Sequence, residues 1–137
     1  MKKIIFFLFL SLILSGCMPT PELVDEGVTV VDEYFQALNQ KDFDKALSYY
    51  SPEFFKTTSR EKWLEALKTV NSKLGDYKAK ELTYGKSQRY YGANMLIVLD
   101  YSVSYSKNTS QEYFSLIKSL VTKDVKILSH TISSTGL

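Results

Sequence analysis

The spacing of apolar residues changes once along this chain, at Gly75, and that change limits the folds open to it. Before Gly75 the apolar residues recur at steps of three and four, which is the period of amphipathic helices. After Gly75 they alternate with polar residues, which is the period of strands. Helices followed by strands predict an α+β fold in which N-terminal helices pack on one face of an antiparallel sheet.

Three helices are expected in the first half. The first begins at Pro21, a residue suited to the first helical turn, and the second is capped by Asp42. A short apolar link at residues 53–56 leads to the third, where Thr58 and Glu61 have the spacing of a capping box. The apolar stripes are Val24, Val28, Val31, Phe35 and Leu38, then Phe43, Ala46, Leu47 and Tyr50, then Trp63, Leu67, Val70 and Leu74.

Strands are expected in the second half. The clearest covers residues 95–105, with its odd-numbered side chains facing the core. Weaker candidates cover residues 77–84 and 125–133, and residues 111–120 fit both a strand and a helix. One face of the last strand is predicted to carry Leu128, His130 and Ile132.

The N-terminal residues have the pattern of a secretory signal peptide. Lys2 and Lys3 precede residues 4–14, which are apolar apart from one serine, and the small residues Ser15 and Gly16 follow. This apolar run is shorter than the roughly 20 residues that a membrane-spanning helix needs. No other stretch comes near that length, so we expect no transmembrane helix in the mature protein.

The segment Leu14-Ser15-Gly16-Cys17 resembles the lipobox of bacterial lipoproteins. That resemblance implies cleavage after residue 16 and attachment of diacylglycerol to the Cys17 thiol, often with acylation of the new amino group. Two or more acyl chains give stable anchoring, whereas one chain binds a membrane only reversibly. We therefore expect a signal peptide at residues 1–16, a lipidated tether at 17–21 and a single α+β domain at 22–137.

The mature chain is predicted to lie in the cell envelope, held by lipid. Met18 follows the cysteine, rather than the aspartate that retains many lipoproteins in the inner membrane, so the outer membrane facing the periplasm is expected in a cell with two membranes. Without the leader, basic and acidic side chains balance at 15 each. This balance argues against nucleic acid as a partner, which needs a clustered basic excess. Cys17 is the only cysteine, so the domain forms no internal disulfide.

Several segments are similar to the nuclear-transport-factor-2-like superfamily. Tyr34–Asn39 and Lys41–Ala46 look like the opening of those domains, and Ser59–Trp63 with the Leu74-Gly75 stop resembles an uncharacterised exported bacterial family within it. The resemblance covers about residues 22–133. It implies a cone-shaped domain whose curved sheet wraps a helix and can leave a pocket at its mouth. Members include dehydratases, isomerases and cyclases, and many others only bind or dimerise.

Five aromatic side chains are candidates to line such a pocket: Tyr50, Trp63, Tyr101, Tyr105 and His130. Histidine can serve as an acid or base near neutral pH, and ketosteroid isomerase in this superfamily combines a tyrosine donor with a carboxylic acid. The matching acid cannot be located from the sequence, because Asp100 points to the opposite face from Tyr101 in a regular strand. We expect these rings to form core and pocket wall rather than a catalytic set.

The sequence offers little for catalysis. It has one histidine, no free cysteine after lipidation, no Gly-x-Ser-x-Gly elbow and no glycine-rich phosphate loop, and it lacks the several His or Cys ligands typical of zinc sites. The leading hypothesis is an envelope lipoprotein without cofactors that binds a partner protein, a second copy of itself or a small apolar ligand. Two alternatives stay open: a lyase or isomerase that uses His130 or a tyrosine, and an exclusion or immunity lipoprotein.

Overall fold

The computed structural model describes residues 21–137, which form four helices followed by four strands. The sheet has the order β1-β2-β3-β4 with all neighbours antiparallel, and it is open, with β1 and β4 at its edges. The predicted α+β fold, with N-terminal helices packed on an antiparallel sheet, is confirmed. The elements are α1 (Pro21–Asn39), α2 (Phe43–Ser48), α3 (Phe54–Thr57), α4 (Arg60–Leu74), β1 (Tyr77–Arg89), β2 (Met95–Tyr105), β3 (Thr109–Lys118) and β4 (Val125–Ser133).

The predicted signal peptide, Cys17 and most of the tether lie outside the described residues. Within residues 21–137, no helix combines the length and the apolar character that crossing a membrane requires.

The core lies between the helices and one face of the sheet. The odd-numbered residues of β2 from Ile97 to Tyr105 are buried, as predicted. In β3 the even-numbered residues from Ser110 to Leu116 are buried, so the ambiguous segment 111–120 is a strand as far as Lys118. β1 runs to Arg89, beyond the predicted 77–84, because it pairs along the whole of β2.

Helix α1 approaches the sheet closely at two glycines. A Cβ added at Gly27 would lie 2.8 Å from Cγ2 of Ile97, and one added at Gly85 would lie 2.9 Å from Cγ1 of Val24. Both distances are shorter than a normal carbon–carbon contact of about 3.5 Å or more. The glycine inside α1, which costs helix stability, thus allows the helix to pack against β2.

The predicted start of the third expected helix, which is α4 in the structure, is wrong by one residue. Ser59, not Thr58, is the N-cap of α4, and its side chain accepts a hydrogen bond from the Lys62 backbone N–H at 3.1 Å. Thr58 already closes the short helix Phe54–Thr57, which forms where a link was expected, by donating its N–H to the Phe54 carbonyl. Glu61 therefore falls one position too early for a capping box.

Tyr50 was predicted on the second helix, but α2 ends at Ser48. The chain then extends along the edge strand β4: the Ile127 N–H donates to the Tyr49 carbonyl and the Ser51 N–H donates to the Ile127 carbonyl, both at 2.8 Å. These bonds satisfy backbone groups that an edge strand leaves unpaired. The pairing with β4 therefore takes precedence over another turn of helix.

The predicted face of the last strand is also partly wrong. The register between β3 and β4 shifts between Ser115 and Leu116, which leaves Leu128 as an extra residue in β4. A bulge of this kind reverses the alternation beyond it. Ile127 and His130 consequently share the buried face, whereas Leu128 is only partly buried.

We expect Gly27→Ala to destabilise the domain. Alanine gains about 1 kcal/mol in helix propensity, but its methyl group meets Ile97, and overpacking of a core typically costs about 1–3 kcal/mol. Urea unfolding should show a net loss of about 1 kcal/mol, the middle of the overpacking range less the gain in helix propensity. Gln36→Ala, on the exposed face of the same helix, should change stability by less than about 0.5 kcal/mol. A Gly27→Ala variant as stable as the wild type would contradict the close contact.

Candidate functional site

A fully buried carboxylate, that of Glu112, lies on the core face of β3. Its Oε1 accepts hydrogen bonds from the Tyr105 hydroxyl at 2.6 Å and the Ser110 hydroxyl at 2.8 Å. Its Oε2 lies 2.8 Å from Nε2 of His130. An ionised carboxylate only accepts hydrogen bonds, and a buried one needs several donors to offset the loss of water. Three side chains from three strands supply these donors: Tyr105 on β2, Ser110 on β3 and His130 on β4.

His130 links Glu112 to a tyrosine. Its Nδ1 lies 2.7 Å from the Tyr50 hydroxyl. Because the Glu112 carboxylate can only accept, Nε2 carries the proton that it donates, and Nδ1 accepts from the Tyr50 O–H. This assignment of the tautomer rests on the partners. The result is a hydroxyl–imidazole–carboxylate series of Tyr50, His130 and Glu112, which we call the buried triad.

Each member of the buried triad is held by a different local feature. The bridge to Ile127 carries Tyr50 against β4, the bulge turns His130 inward, and the alternation of β3 turns Glu112 inward. The Phe114 ring stacks on the imidazole, with centroids 3.9 Å apart and planes 21° apart. The side chains of His130 and Glu112 are 0 % exposed.

The structure brings four of the five predicted site residues together. Tyr50, Tyr105 and His130 belong to one hydrogen-bond network with Glu112, and the Trp63 ring packs against His130 with centroids 5.8 Å apart. Tyr101 lies apart from this network.

The Tyr101 hydroxyl is buried without a hydrogen-bond partner. Its ring packs against Phe114, with centroids 6.0 Å apart, and Lys80 Nζ lies 5.2 Å from the ring centroid. Lys80 is in turn ion-paired with Asp32 of α1. Tyr101 therefore contributes to the contact between helix and sheet rather than to the triad.

Glu112 is the functional candidate that sequence reasoning missed. It lies directly opposite Tyr101 in the pairing of β2 with β3, on the inward face where the matching acid was sought. The signal was present, because the alternation of Phe114 and Leu116 extends back to Glu112 and Ser110. The same segment also fits helical spacing, so the sequence alone leaves the direction of the Glu112 side chain open.

The tyrosine of the triad and two tyrosines beside it are kept protonated. Burial raises the pKa of Tyr34, Tyr50 and Tyr105 above the ordinary value of 10.0, and the nearby Glu112 carboxylate raises each further. The Tyr34 hydroxyl and Trp63 Nε1 lie near the Tyr50 hydroxyl and act against this rise at Tyr50. Both atoms are buried and have no hydrogen-bond partner of their own.

The interior beside this network is tightly packed. A cavity between α1, α4 and the sheet has a volume of ≈ 10 Å³, room for about one water molecule. Its lining includes Tyr105 of the network and Tyr34, whose ring lies beside it. Across residues 21–137, no three His, Cys, Asp or Glu side chains come close enough to hold a metal ion. The hydrogen bonds of the triad are closed off from solvent, since the side chains of His130 and Glu112 are fully buried.

We expect Glu112→Leu to destabilise the domain strongly, because Tyr105, Ser110 and His130 would each lose a hydrogen-bond acceptor. A buried donor without a partner costs about 1–3 kcal/mol, so the loss should be roughly 3 kcal/mol or more. Gln111→Leu, at the adjacent exposed position of β3, is the matched control and should change stability by less than about 0.5 kcal/mol. Equal unfolding midpoints for the two variants would show that the donors do not depend on Glu112.

Alkaline pH should unfold the domain. Above pH 10 the unfolded chain releases phenolic protons that the folded chain keeps at Tyr34, Tyr50 and Tyr105, so stability present below pH 10 falls as pH rises. Each such tyrosine contributes a slope of about 1.4 kcal/mol per pH unit. Urea unfolding at stepped pH should show a shallower decline for Tyr50→Phe by that amount. Ser110→Ala, which removes a non-titrating member of the network, should keep the original slope, and an unchanged slope in Tyr50→Phe would refute the assignment.

A model of the prokaryotic membrane lipoprotein lipid attachment site matches residues 1–17, a segment that ends on Cys17. This match supports the expectation drawn from the leader. The chain is a bacterial lipoprotein, anchored to a membrane of the cell envelope through lipid.

Among solved structures, the domain is similar to the protein Bd1075 of Bdellovibrio bacteriovorus, with a TM-score of 0.54 and 18 % identity. The similarity covers 80 % of this chain but 40 % of that protein, so the chain spans less than half of its length. At this identity the likeness concerns the fold alone. No curated protein sequence matches the chain.

A family model described as a protein of unknown function, DUF3887, matches residues 31–127. That span runs from the middle of α1 into β4 and includes Tyr50 and Glu112. Since the match covers well over half of the sequence, the chain belongs to the DUF3887 family.

Proposed function

We propose that this lipoprotein is a binding protein of the cell envelope that takes a protein partner on the face of the sheet turned away from the helices. We further propose the outer membrane as its location in a cell with two membranes, on the ground that Met18 follows Cys17. The single observation behind the binding role is the composition of that outer face.

The outer face carries exposed tyrosines at its centre. Tyr84 on β1 and Tyr113 on β3 both lie opposite Asp100 of β2, which makes one row across three strands. Their side chains are 49 % and 45 % exposed. The neighbouring rows add three partly buried aliphatic side chains, Leu96, Val98 and Ile117. We call this surface the tyrosine face.

A protein partner fits this surface better than a small apolar ligand does. Ligand sites are concave and typically hold about 300–1,000 Å³, far more than the ≈ 10 Å³ between α1, α4 and the sheet. The larger clefts, of ≈ 350 Å³ beside Thr109 and ≈ 310 Å³ at Tyr90 and Tyr91, are open to solvent and do not enclose a ligand. Protein interfaces are instead broad and enriched in tyrosine, with few charged side chains at the centre and a polar rim. The tyrosine face shares the exposed tyrosines, and it departs from this composition at Asp100, a charged residue in its central row.

In this proposal the buried triad stabilises the core instead of performing catalysis. A lyase or isomerase would need its substrate to reach the Tyr50 hydroxyl, and both His130 and Glu112 lie behind it with fully buried side chains. We also propose kinship with the nuclear-transport-factor-2-like superfamily. The helices-first order and the inward pairing of Tyr101 with Glu112 support this kinship.

The role of the tyrosine face can be tested by crosslinking the lipoprotein in its own membranes through a photoreactive residue at Gln111, on the same face next to Tyr113. We expect a crosslink to one second protein, and we expect Tyr84→Ser with Tyr113→Ser to abolish it, because the double change removes both exposed rings. Tyr91→Ser, an exposed tyrosine outside this face, is the matched control and should leave the crosslink intact.

Two results would overturn the proposal. A crosslink between two copies of this chain would make the tyrosine face a dimer interface. A crosslink of equal yield in the wild type and the double serine variant would mean that the captured protein does not depend on the two tyrosines.

A further inference from the structure

Four exposed apolar side chains lie at the tips of two turns. They are Tyr90 and Tyr91, between β1 and β2, and Leu120 and Val121, between β3 and β4. Tyr91 is 82 % exposed and Val121 is 85 % exposed. These four side chains belong neither to the core nor to the tyrosine face.

Both turns lie at the same end of the sheet. Met95, at the start of β2, pairs with Arg89 at the end of β1 and with Lys118 at the end of β3. The remaining turn, between β2 and β3, is at the opposite end, where the Lys107 N–H donates to the Leu74 carbonyl at the end of α4.

Helix α1 begins at the end that carries the two apolar turns. Lys118 donates to Glu26 in the second turn of α1, at 2.6 and 2.5 Å to its two carboxylate oxygens. Further along the helix, Asp32 pairs with Lys80, which lies opposite Val103 towards the other end of β2. The start of α1 therefore lies over the apolar turns.

The lipid anchor is covalently close to this end. Pro21 lies four positions after Cys17. A fully extended chain covers at most about 3.6 Å per residue, so the two residues are at most roughly 14 Å apart. β2, by contrast, is 11 residues long, so the far end of the sheet lies about 35 Å away. The anchor confines the apolar turns, and not the opposite end, to the neighbourhood of the bilayer.

We propose that the two turns form a membrane-contact surface, in which Tyr90, Tyr91, Leu120 and Val121 enter the interface of the bilayer that holds the lipid on Cys17. Tyrosine is enriched at the membrane–water interface because its ring is apolar and its hydroxyl can hydrogen-bond to water. Arg89 and Lys123 flank the tips and can meet lipid phosphates. Asp124 beside Lys123 limits the net charge, so the apolar side chains carry most of the contact.

The contact gives the domain a fixed orientation. The strands stand away from the membrane, and the tyrosine face is turned sideways into the space beside it, where a protein partner can reach it. The membrane contact does not depend on the proposed partner, since the two surfaces share no residue.

The experiment uses the full lipoprotein in vesicles of phosphatidylethanolamine and phosphatidylglycerol with brominated acyl chains, which quench fluorescence at contact. Because the native cysteine is lipidated, a bimane label can be placed at one new cysteine at a time. Ala93→Cys and Thr122→Cys report on the two turns, and Thr109→Cys, exposed at the far end of the sheet, is the matched control.

We expect the labels at positions 93 and 122 to lose emission in brominated vesicles and the label at 109 to keep it. Adding Tyr91→Glu with Val121→Glu should restore the emission at 93 and 122, whereas Tyr84→Ser with Tyr113→Ser should not. Unquenched labels at all three positions, or quenching that survives the two glutamates, would overturn the membrane contact. Neither result would bear on the crosslink at the tyrosine face, so the two proposals fail separately.

Discussion

The burial of the Glu112 carboxylate is the constraint on which the interior of this domain depends. A carboxylate in an apolar core is tolerated only when donors replace the lost water. Tyr105 on β2, Ser110 on β3 and His130 on β4 provide these donors. The Tyr50 hydroxyl, in the segment after α2, hydrogen-bonds to the other ring nitrogen of His130. Three strands and the segment after α2 must therefore reach their final register together for any of these bonds to form.

The bulge at Leu128 and the bridge at Tyr50 serve this network. Without the extra residue in β4, the alternation that buries Ile127 would turn His130 towards solvent. Without the pairing of residues 49–51 with Ile127, the imidazole Nδ1 would lack its partner. The bulge and the bridge thus have a common consequence, which is a fully hydrogen-bonded Glu112.

Two surfaces remain outside this core, and they differ in chemistry and in direction. The tyrosine face is a row of amphipathic rings on the flat side of the sheet, whereas the apolar turns are tips at the end nearest the lipid. A lipoprotein that rests on its turns would present the sheet face laterally to other envelope proteins. In these two proposals, the buried triad stabilises the domain, the apolar turns orient it and the tyrosine face recognises a partner.

Much of the architecture follows from the sequence. The leader and Cys17 predict the anchor, and the matching attachment site supports it. The change of period at Gly75 predicts helices followed by strands, and Asp42 and Gly75 cap the helices where expected. These features are local, because caps and apolar periods depend on residues within a few positions of one another.

The site depended on contacts that the sequence does not encode locally. Tyr50, Tyr105, Glu112 and His130 come from distant parts of the chain, and they meet only because the sheet sets their register. Segment 111–120 fitted two periods, and the bulge at Leu128 reversed the predicted face of β4. The sequence by itself determined the anchor, the order of elements and the apolar stripes, since these express short-range preferences. Only the tertiary structure decided which polar groups are buried together, because that depends on pairing between strands far apart in the chain.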